Sequence, residues 1–234
     1  GPTRRRFMSD VELLKEQAGI AACRFVKDGM ALGLGTGSTV KYSIIEIARM
    51  ITEEGMNLVG VPTSEHTRSL SEELGIPLLT IENSGTLDLT IDGADEFDHN
   101  FDLIKGGGGA LTREKAVALK SKSMVVVADH TKKVEVLGAF DLPVEVDSDI
   151  WEGVREGISR ICPGQVRLRT NGSDPFETDN HGFILDCSFG PTISDPTSLE
   201  RAISDIPGVV EVGLFVGICD AVIVASSDGI EEMI

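Results

Sequence analysis

Short apolar runs recur along the chain, each followed by a stretch of helical composition, and this alternation constrains the fold more than any other feature. Residues 30–34, 58–61, 87–91 and 124–127 each have the length and composition of a strand, and a further strand is expected near Leu78. Helices are expected at 10–27, with Ser9 as N-cap and Gly29 beyond the end, and after the turn 35–39, where Val40, Ile44, Ile47 and Ile51 share a face. Two more are expected at 65–74, with Ser64 as N-cap, and at 110–122. Such alternation predicts an α/β protein with a largely parallel, Rossmann-like open sheet carrying helices on both faces. The 41% hydrophobic content with only 5% aromatics fits a core of Val, Ile, Leu and Ala.

From about Gly138 the pattern changes. A strand near Val144, a helix at 151–161, strands near Val166 and Ile184, a helix at 196–205 and a strand from Val209 read as a β-α-β-β-α-β unit, a smaller ferredoxin-like α+β domain. Trp151 stands at helical spacing with Val154 and Ile158 and is expected in its core. The expected organisation is a Rossmann-like catalytic domain of residues 1–137 and 213–234, with 222–225 returning to the first sheet, and a small domain of residues 138–212.

Chemistry-bearing residues concentrate where strands end. Asp92-Gly93-Ala94-Asp95-Glu96 closes one apolar run, where ligands of open α/β sheets bind. Lys105-Gly106-Gly107-Gly108-Gly109 leads directly into Ala110-Leu111-Thr112-Arg113-Glu114-Lys115, so Glu114 falls about one turn inside a helix that starts at a glycine loop. Without Cβ atoms, the loop's amide N–H groups can approach an anion closely. Taken singly, acidic residues after a strand are usually turn formers and a glycine run is usually a flexible loop; their conjunction with a lysine and a helical carboxylate is not a turn signature. Upstream, Gly35-Thr36-Gly37-Ser38-Thr39 lies between a strand and a helix and forms an anion cradle. It lacks the third glycine of a dinucleotide fingerprint, and the next strand ends in Pro62-Thr63-Ser64 instead of an acidic residue, so a phosphate monoester fits better than a dinucleotide. Ser64, Glu65 and Thr67 either line the same crevice or cap the following helix.

A formal charge of −17 opposes nucleic-acid binding. No apolar stretch approaches the ~20 residues of a membrane span. Cys23, Cys162, Cys187 and Cys219 are scattered without CxxC spacing, which predicts reduced, buried thiols in a cytoplasmic protein. His66, His99, His130 and His181 lack metal-ligand spacing, and no metal or cofactor is expected. Gly1-Pro2 reads as a cleavage scar, and Arg4-Arg5-Arg6 is not followed by the apolar run of a signal peptide.

Together with Gly33-Leu34, Thr178-Asp179-Asn180 and Ile206-Pro207-Gly208-Val209-Val210, these motifs, in this order, resemble type A ribose-5-phosphate isomerase. The resemblance covers roughly residues 15–215 and implies interconversion of ribose 5-phosphate and ribulose 5-phosphate through an enediolate. It implies that Glu114 is the general base and that Lys105, with the amides of Gly106, Gly107 and Gly108, stabilises the enediolate oxygens. Asp92 and Asp95, flanking Gly93 and Ala94, are implied to bind sugar hydroxyls and to assist ring opening and proton movement between oxygens. Thr36, Gly37, Ser38 and Thr39, with Lys15 and Lys132, are implied substrate and phosphate contacts. Nearby carboxylates raise one another's pKa, and the sequence leaves open which of them responds. The expected partners are a small sugar phosphate and further copies of the chain, as a homodimer or tetramer. Two other classes remain: a catalytically silent sugar-phosphate sensor, and a coenzyme A transferase of a related fold with a glutamate nucleophile.

Overall fold

The computed structural model describes residues 9–234, so the expectations for Gly1-Pro2 and Arg4-Arg5-Arg6 lie outside the described residues. In chain order the elements are α1 (Asp10–Ala22), β1 (Ala31–Leu34), α2 (Val40–Glu54), β2 (Val59–Pro62), α3 (Glu65–Glu73), β3 (Leu89–Asp92), β4 (Glu96–Phe97), β5 (Leu103–Ile104), α4 (Leu111–Leu119) and β6 (Met124–Asp129). There follow β7 (Leu142–Val146), α5 (Trp151–Ser159), β8 (Val166–Leu168), β9 (Thr170–Asn171), β10 (Asp174–Pro175), β11 (Phe183–Cys187), α6 (Pro196–Ser204), β12 (Val209–Val212), β13 (Leu214–Phe215), β14 (Ala221–Ser226) and β15 (Gly229–Met233). They form two compact units. One comprises the chain up to Gly93 with Ala116–Lys132 and Cys219–Ile234; the other comprises Ala94–Lys115 and Lys133–Ile218.

The first unit is built on a six-stranded sheet of order β15-β14-β6-β3-β1-β2. Its strands are parallel except β15, which returns antiparallel on β14. One face packs Leu32, Leu34, Leu89, Ile91, Val125, Val127 and Ile223 against Ala18 and Ala22 of α1 and Ile44 and Ile47 of α2. On the other face Val117 of α4 packs with Val61 and Leu87. Alternate residues of the short strands thus serve opposite layers, the expected consequence of covering both faces of a parallel sheet. Ser9 caps α1 by accepting from the Glu12 N–H at 3.2 Å. The helix stops at Ala22 instead of running to 27, its last turn tightening into the 3-10 turn Cys23–Phe25. The strand expected near Leu78 is not formed; Leu78 makes an isolated parallel bridge to Gly60. Pro77 offers no N–H to a ladder, and Thr80 already caps the 3-10 turn Ile81–Asn83.

The chain leaves β1 to form β2 on one side and returns to form β3 on the other. The carboxyl ends of β1 and β3 are therefore the topological switch point, where an open α/β sheet leaves a crevice for a ligand.

In the second unit a four-stranded antiparallel sheet has the order β12-β7-β11-β8. Helix α5 joins β7 to β8 and α6 joins β11 to β12, the β-α-β-β-α-β arrangement read from the sequence. Val144, Val146, Leu185 and Val212 of the sheet pack against Val154 and Ile158 of α5 and Ile203 of α6. Trp151 sits at the rim of this core, its ring edge toward Phe183 with centroids 6.5 Å apart. A separate three-stranded sheet, β13-β5-β4, ends at Lys105, whose N–H donates to the Gly213 carbonyl at 2.9 Å.

Glu145 of β7 is a buried carboxylate in this unit. Its Oε1 accepts from Thr112 Oγ1 at 2.8 Å and its Oε2 from Thr178 Oγ1 at 3.3 Å. Burial pushes its pKa above the ordinary 4.5, against the pull of the two hydroxyls, and the Glu211 charge pushes the same way. The native state thus holds this proton more tightly than the unfolded chain. Glu145 contributes most to stability below pH 4.5, and that contribution is lost as pH rises through the raised native value. Glu145→Gln should therefore gain stability relative to the parent as pH rises from 4.5 toward 8, a trend read by urea denaturation across that range. A difference that does not change with pH would show that Glu145 does not titrate differently in the folded chain.

Candidate active site

At the switch point of the first unit, β1 gives way to Gly35 and β3 ends on Asp92. Gly35 N–H donates to the Ile91 carbonyl at 2.9 Å, and Thr36 N–H donates to Asp92 Oδ1 at 3.1 Å. A Cβ on Gly35 would lie 2.3 Å from Asp92 Oδ1, so only glycine lets the turn come this close to the carboxylate. Asp92 is fully buried and also accepts from the Gly93 N–H at 2.7 Å. The Thr36 hydroxyl lies 2.8 Å from Thr63 Oγ1, 2.8 Å from Ser64 Oγ and 3.1 Å from Thr67 Oγ1. Thr63 Oγ1 in turn donates to Leu34 O at 2.8 Å, and Thr67 Oγ1 to Gly35 O at 2.9 Å. Four hydroxyls thereby lock the turn onto the segment after β2.

Past this turn, Gly37 has φ 143° and Gly37 and Ser38 are exposed. Thr39 is the N-cap of the 15-residue α2 and makes no side-chain capping bond. A helix N-terminus whose cap side chain leaves the first-turn amides to other acceptors favours an anion there. Ser64 does cap α3, accepting from the Thr67 N–H at 3.0 Å.

Further basic charge lies at the end of β6 in the same unit. Burial raises the pKa of Asp129, but hydrogen bonds from Thr131 and the charges of Lys132 and Lys15 outweigh it, and the carboxyl is held below its ordinary range. Lys132 and Lys15, far apart in sequence, are thus both within electrostatic reach of one carboxylate. Lys15 also pairs with Glu12 at 3.7 Å.

In the second unit Lys105 Nζ lies 2.9 Å from Glu114 Oε2, with side-chain exposures of 3% and 5%. Lys105 is carried by the end of β5, and Glu114 stands in the first turn of α4. The Lys105 ammonium also lies over the Phe215 ring at 5.6 Å. Asp95 N–H donates to Ile104 O at 2.9 Å, and its Oδ2 accepts from the Gly107 N–H at 2.8 Å. Gly106 and Gly109 have φ 115° and 80°, the left-handed backbone the glycine run exists to allow. Gly107 and Gly108 are exposed, whereas Gly106 is buried. Ala94, half-buried, precedes Asp95.

Each unit therefore holds a set of the residues singled out by sequence. Thr36, Gly37, Ser38, Thr39, Asp92, Gly93, Lys15 and Lys132 lie in the first unit, and Ala94, Asp95, Lys105, Gly106, Gly107, Gly108 and Glu114 in the second. Glu96 differs from its acidic neighbours: its carboxylate accepts from the Gly138 and Phe140 N–H groups at 2.9 and 2.8 Å and anchors a loop. Thr63 and Asp129 were not singled out. Their places just past the apolar runs 58–61 and 124–127 are the sequence signal for them. All four histidines are exposed, and among the described residues no group of three His, Cys, Asp or Glu side chains is arranged to hold a metal ion. Among the described residues no helix is long and apolar enough to cross a membrane.

A glycine-bearing turn at the switch point of a parallel sheet, in a chain that also holds a buried carboxylate–ammonium pair at a second glycine turn, defines an open-sheet α/β protein with polar groups gathered at its strand ends. The family follows from comparison: the description of ribose 5-phosphate isomerase A (phosphoriboisomerase A) matches residues 59–229, and the chain belongs to that family. It is 49% identical over 234 residues to ribose-5-phosphate isomerase A of Brucella suis, covering 97% of this chain and 99% of the relative. With that of Cereibacter sphaeroides it is 47% identical over 227 residues, covering 94% and 90%. The solved structure of ribose 5-phosphate isomerase A from Methanocaldococcus jannaschii superposes with a TM-score of 0.89 at 38% identity, covering 94% of this chain and 98% of that one. A D-ribose-5-phosphate isomerase solved in complex with phospho-erythronic acid superposes with a TM-score of 0.91 at 37% identity, covering 96% and 99%.

Removing one partner of a buried ion pair leaves the other charged group desolvated and typically costs about 3–5 kcal/mol. Lys105→Met and Glu114→Gln should each destabilise the chain on that scale, and the double variant should lose clearly less than the sum. Urea denaturation of the four proteins reads the coupling. Additive losses would show that the two charges do not interact in solution.

Proposed function

We propose that the chain is an aldose–ketose isomerase that interconverts D-ribose 5-phosphate and D-ribulose 5-phosphate through an enediolate. The observation that carries this reading is the buried Lys105–Glu114 pair, 2.9 Å apart, at the end of a glycine turn. Isomerisation requires a base to take the proton from C2 of the aldose and return it to C1, while the carbonyl oxygen at C1 becomes negative. Glu114 is the base. Lys105 stabilises the developing oxyanion together with the amides of Gly106, Gly107 and Gly108, a fixed charge that costs no reorganisation at the moment of reaction. Asp92 and Asp95 bind the sugar hydroxyls, assist ring opening and pass the O2 proton to O1, which closes the proton balance without a cofactor. The phosphate is taken by residues 36–39 at the α2 N-terminus, with Lys15 and Lys132.

Support comes from the relatives named ribose-5-phosphate isomerase A at 47% and 49% identity over nearly the whole chain. A relative of 37% identity was solved with phospho-erythronic acid, a phosphorylated acid whose carboxylate resembles an enediolate in charge and shape. A silent sensor has no use for a buried base paired to an ammonium, so the isomerase reading accounts for more of the molecule. The setting that fits it is the cytoplasm, where thiols such as the buried Cys23, Cys162 and Cys187 stay reduced, and the active form is a homo-oligomer, dimer or tetramer.

A coupled assay of ribulose 5-phosphate formation tests the proposal. Glu114→Gln should lower kcat by on the order of 10²- to 10⁴-fold, the usual contribution of a positioned base. Lys132→Ala should mainly raise KM, through weaker phosphate binding. Near-normal turnover in Glu114→Gln would remove Glu114 as the base.

A further inference from the structure

We infer that Arg169 is a positioning residue for the isomerisation: by holding two successive carbonyls of the glycine turn it aims that turn's amide N–H groups away from itself, to the side on which Asp95 receives one of them. The inference rests on the isomerase reading of this turn and adds a residue that none of the motifs contains.

Arg169 follows β8, and its own N–H donates to Ile184 O at 2.8 Å. Its Nη1 donates to Gly106 O at 3.0 Å and to Gly107 O at 3.1 Å. The peptide bond is planar and trans, so in each unit the C=O and the following N–H point in opposite directions. Capture of the Gly106 carbonyl therefore turns the Gly107 N–H away from Arg169, where it donates to Asp95 Oδ2 at 2.8 Å. Capture of the Gly107 carbonyl turns the Gly108 N–H away from the guanidinium in the same manner. The Gly107 amide so aimed holds the Asp95 carboxylate in place, the Gly108 amide is the neighbouring donor, and the cation behind their carbonyls polarises both.

The guanidinium is itself held from two sides. Its Nε and Nη2 donate to Asp186 Oδ2 and Oδ1 at 3.0 and 2.7 Å, a bidentate fork that fixes the plane of the group. It also lies over the Phe176 ring at 5.7 Å. The same ring lies against the end of the turn, since a Cβ on Gly109 would come within 2.6 Å of Phe176 Cε1. One residue thus uses one edge of its fork on a carboxylate in the four-stranded sheet and the remaining nitrogen on the turn. Lysine cannot reproduce that division of donors.

The test uses the full chain with Arg169→Met, Arg169→Lys and Asp186→Asn, measuring kcat and KM for ribose 5-phosphate, the calorimetric Kd of phospho-erythronate, and Tm. Misaiming donors to an oxyanion should lower kcat in Arg169→Met by about 10- to 100-fold while KM stays within about threefold. The analogue's affinity should fall with kcat, because it samples the charge of the intermediate. Asp186→Asn should show the same pattern more weakly, and Arg169→Lys should recover part of kcat. A purely structural arginine would lower Tm and leave kcat and analogue affinity of the folded protein unchanged, and that result overturns the inference. Should Arg169→Met fail to fold, Asp186→Asn decides by the same two readouts. A wild-type chain without isomerase activity overturns the functional reading and this inference together, whereas an active wild type with unaffected variants overturns only the assignment to Arg169.

Discussion

Two opposite charges at 2.9 Å, both withdrawn from water, set the conditions that the second unit has to meet. Lys105 and Glu114 come from different kinds of element, the end of a two-residue strand and the first turn of a helix, and neither is tolerable in that interior without the other. Holding them in register needs β5 pinned to β13 through Leu214 and Phe215, and α4 started immediately after the glycine turn. Phe215 gives both a strand pairing and an aromatic face. The same ring faces a second ammonium, Lys115, at 5.0 Å, but Lys115 has carboxylates of its own in Glu211 at 2.8 Å and Glu200 at 3.5 Å and accepts a role as donor to Val212 O. Two lysines under one ring are therefore separated in function by their acids.

The first unit meets a different constraint, the close approach of backbone to carboxylate at Gly35 and Asp92. Thr36 is engaged there through both its N–H and its hydroxyl, and the hydroxyls of Thr63, Ser64 and Thr67 surround it. These bonds tie the turn down from several sides. Pre-organisation of this kind lowers the cost of ordering a site on binding, and the α2 N-terminus beside it is where the proposed phosphate contact falls.

Much of this was legible in the sequence because it is local. Val125, Val126 and Val127 announce a buried strand, Ser9 and Ser64 announce caps, and the position of Glu114 one turn after a glycine run follows from counting. Leu78 misled because a short apolar run says nothing of the Pro77 before it and the cap after it. Strands of two residues carry no periodicity and exist only through their partners: Leu103–Ile104 pairs with Glu96–Phe97 on one side and with Leu214–Phe215, distant in the chain, on the other. Arg169, just past β8, reaches Asp186 of the neighbouring β11, and its contact with Gly106 and Gly107 follows from packing that no local spacing encodes. The burial of Lys105 and Glu114 belongs to the same class: composition places them in one segment, and the surrounding sheets take them out of solvent.

The four cysteines are all buried, two in each unit: Cys23 and Cys219 in the first, Cys162 and Cys187 in the second. Burial raises the thiol of Cys23 to about 12 and pushes those of Cys162 and Cys187 up as well, so the nucleophilic thiolate is scarce in the folded chain. A thiol-directed reagent at a concentration high enough to outpace reclosing consequently reacts at the rate at which the protein opens around each sulfur. Peptide mapping of the alkylated cysteines then gives a separate clock for the opening of each unit, built into the wild-type chain and requiring no label.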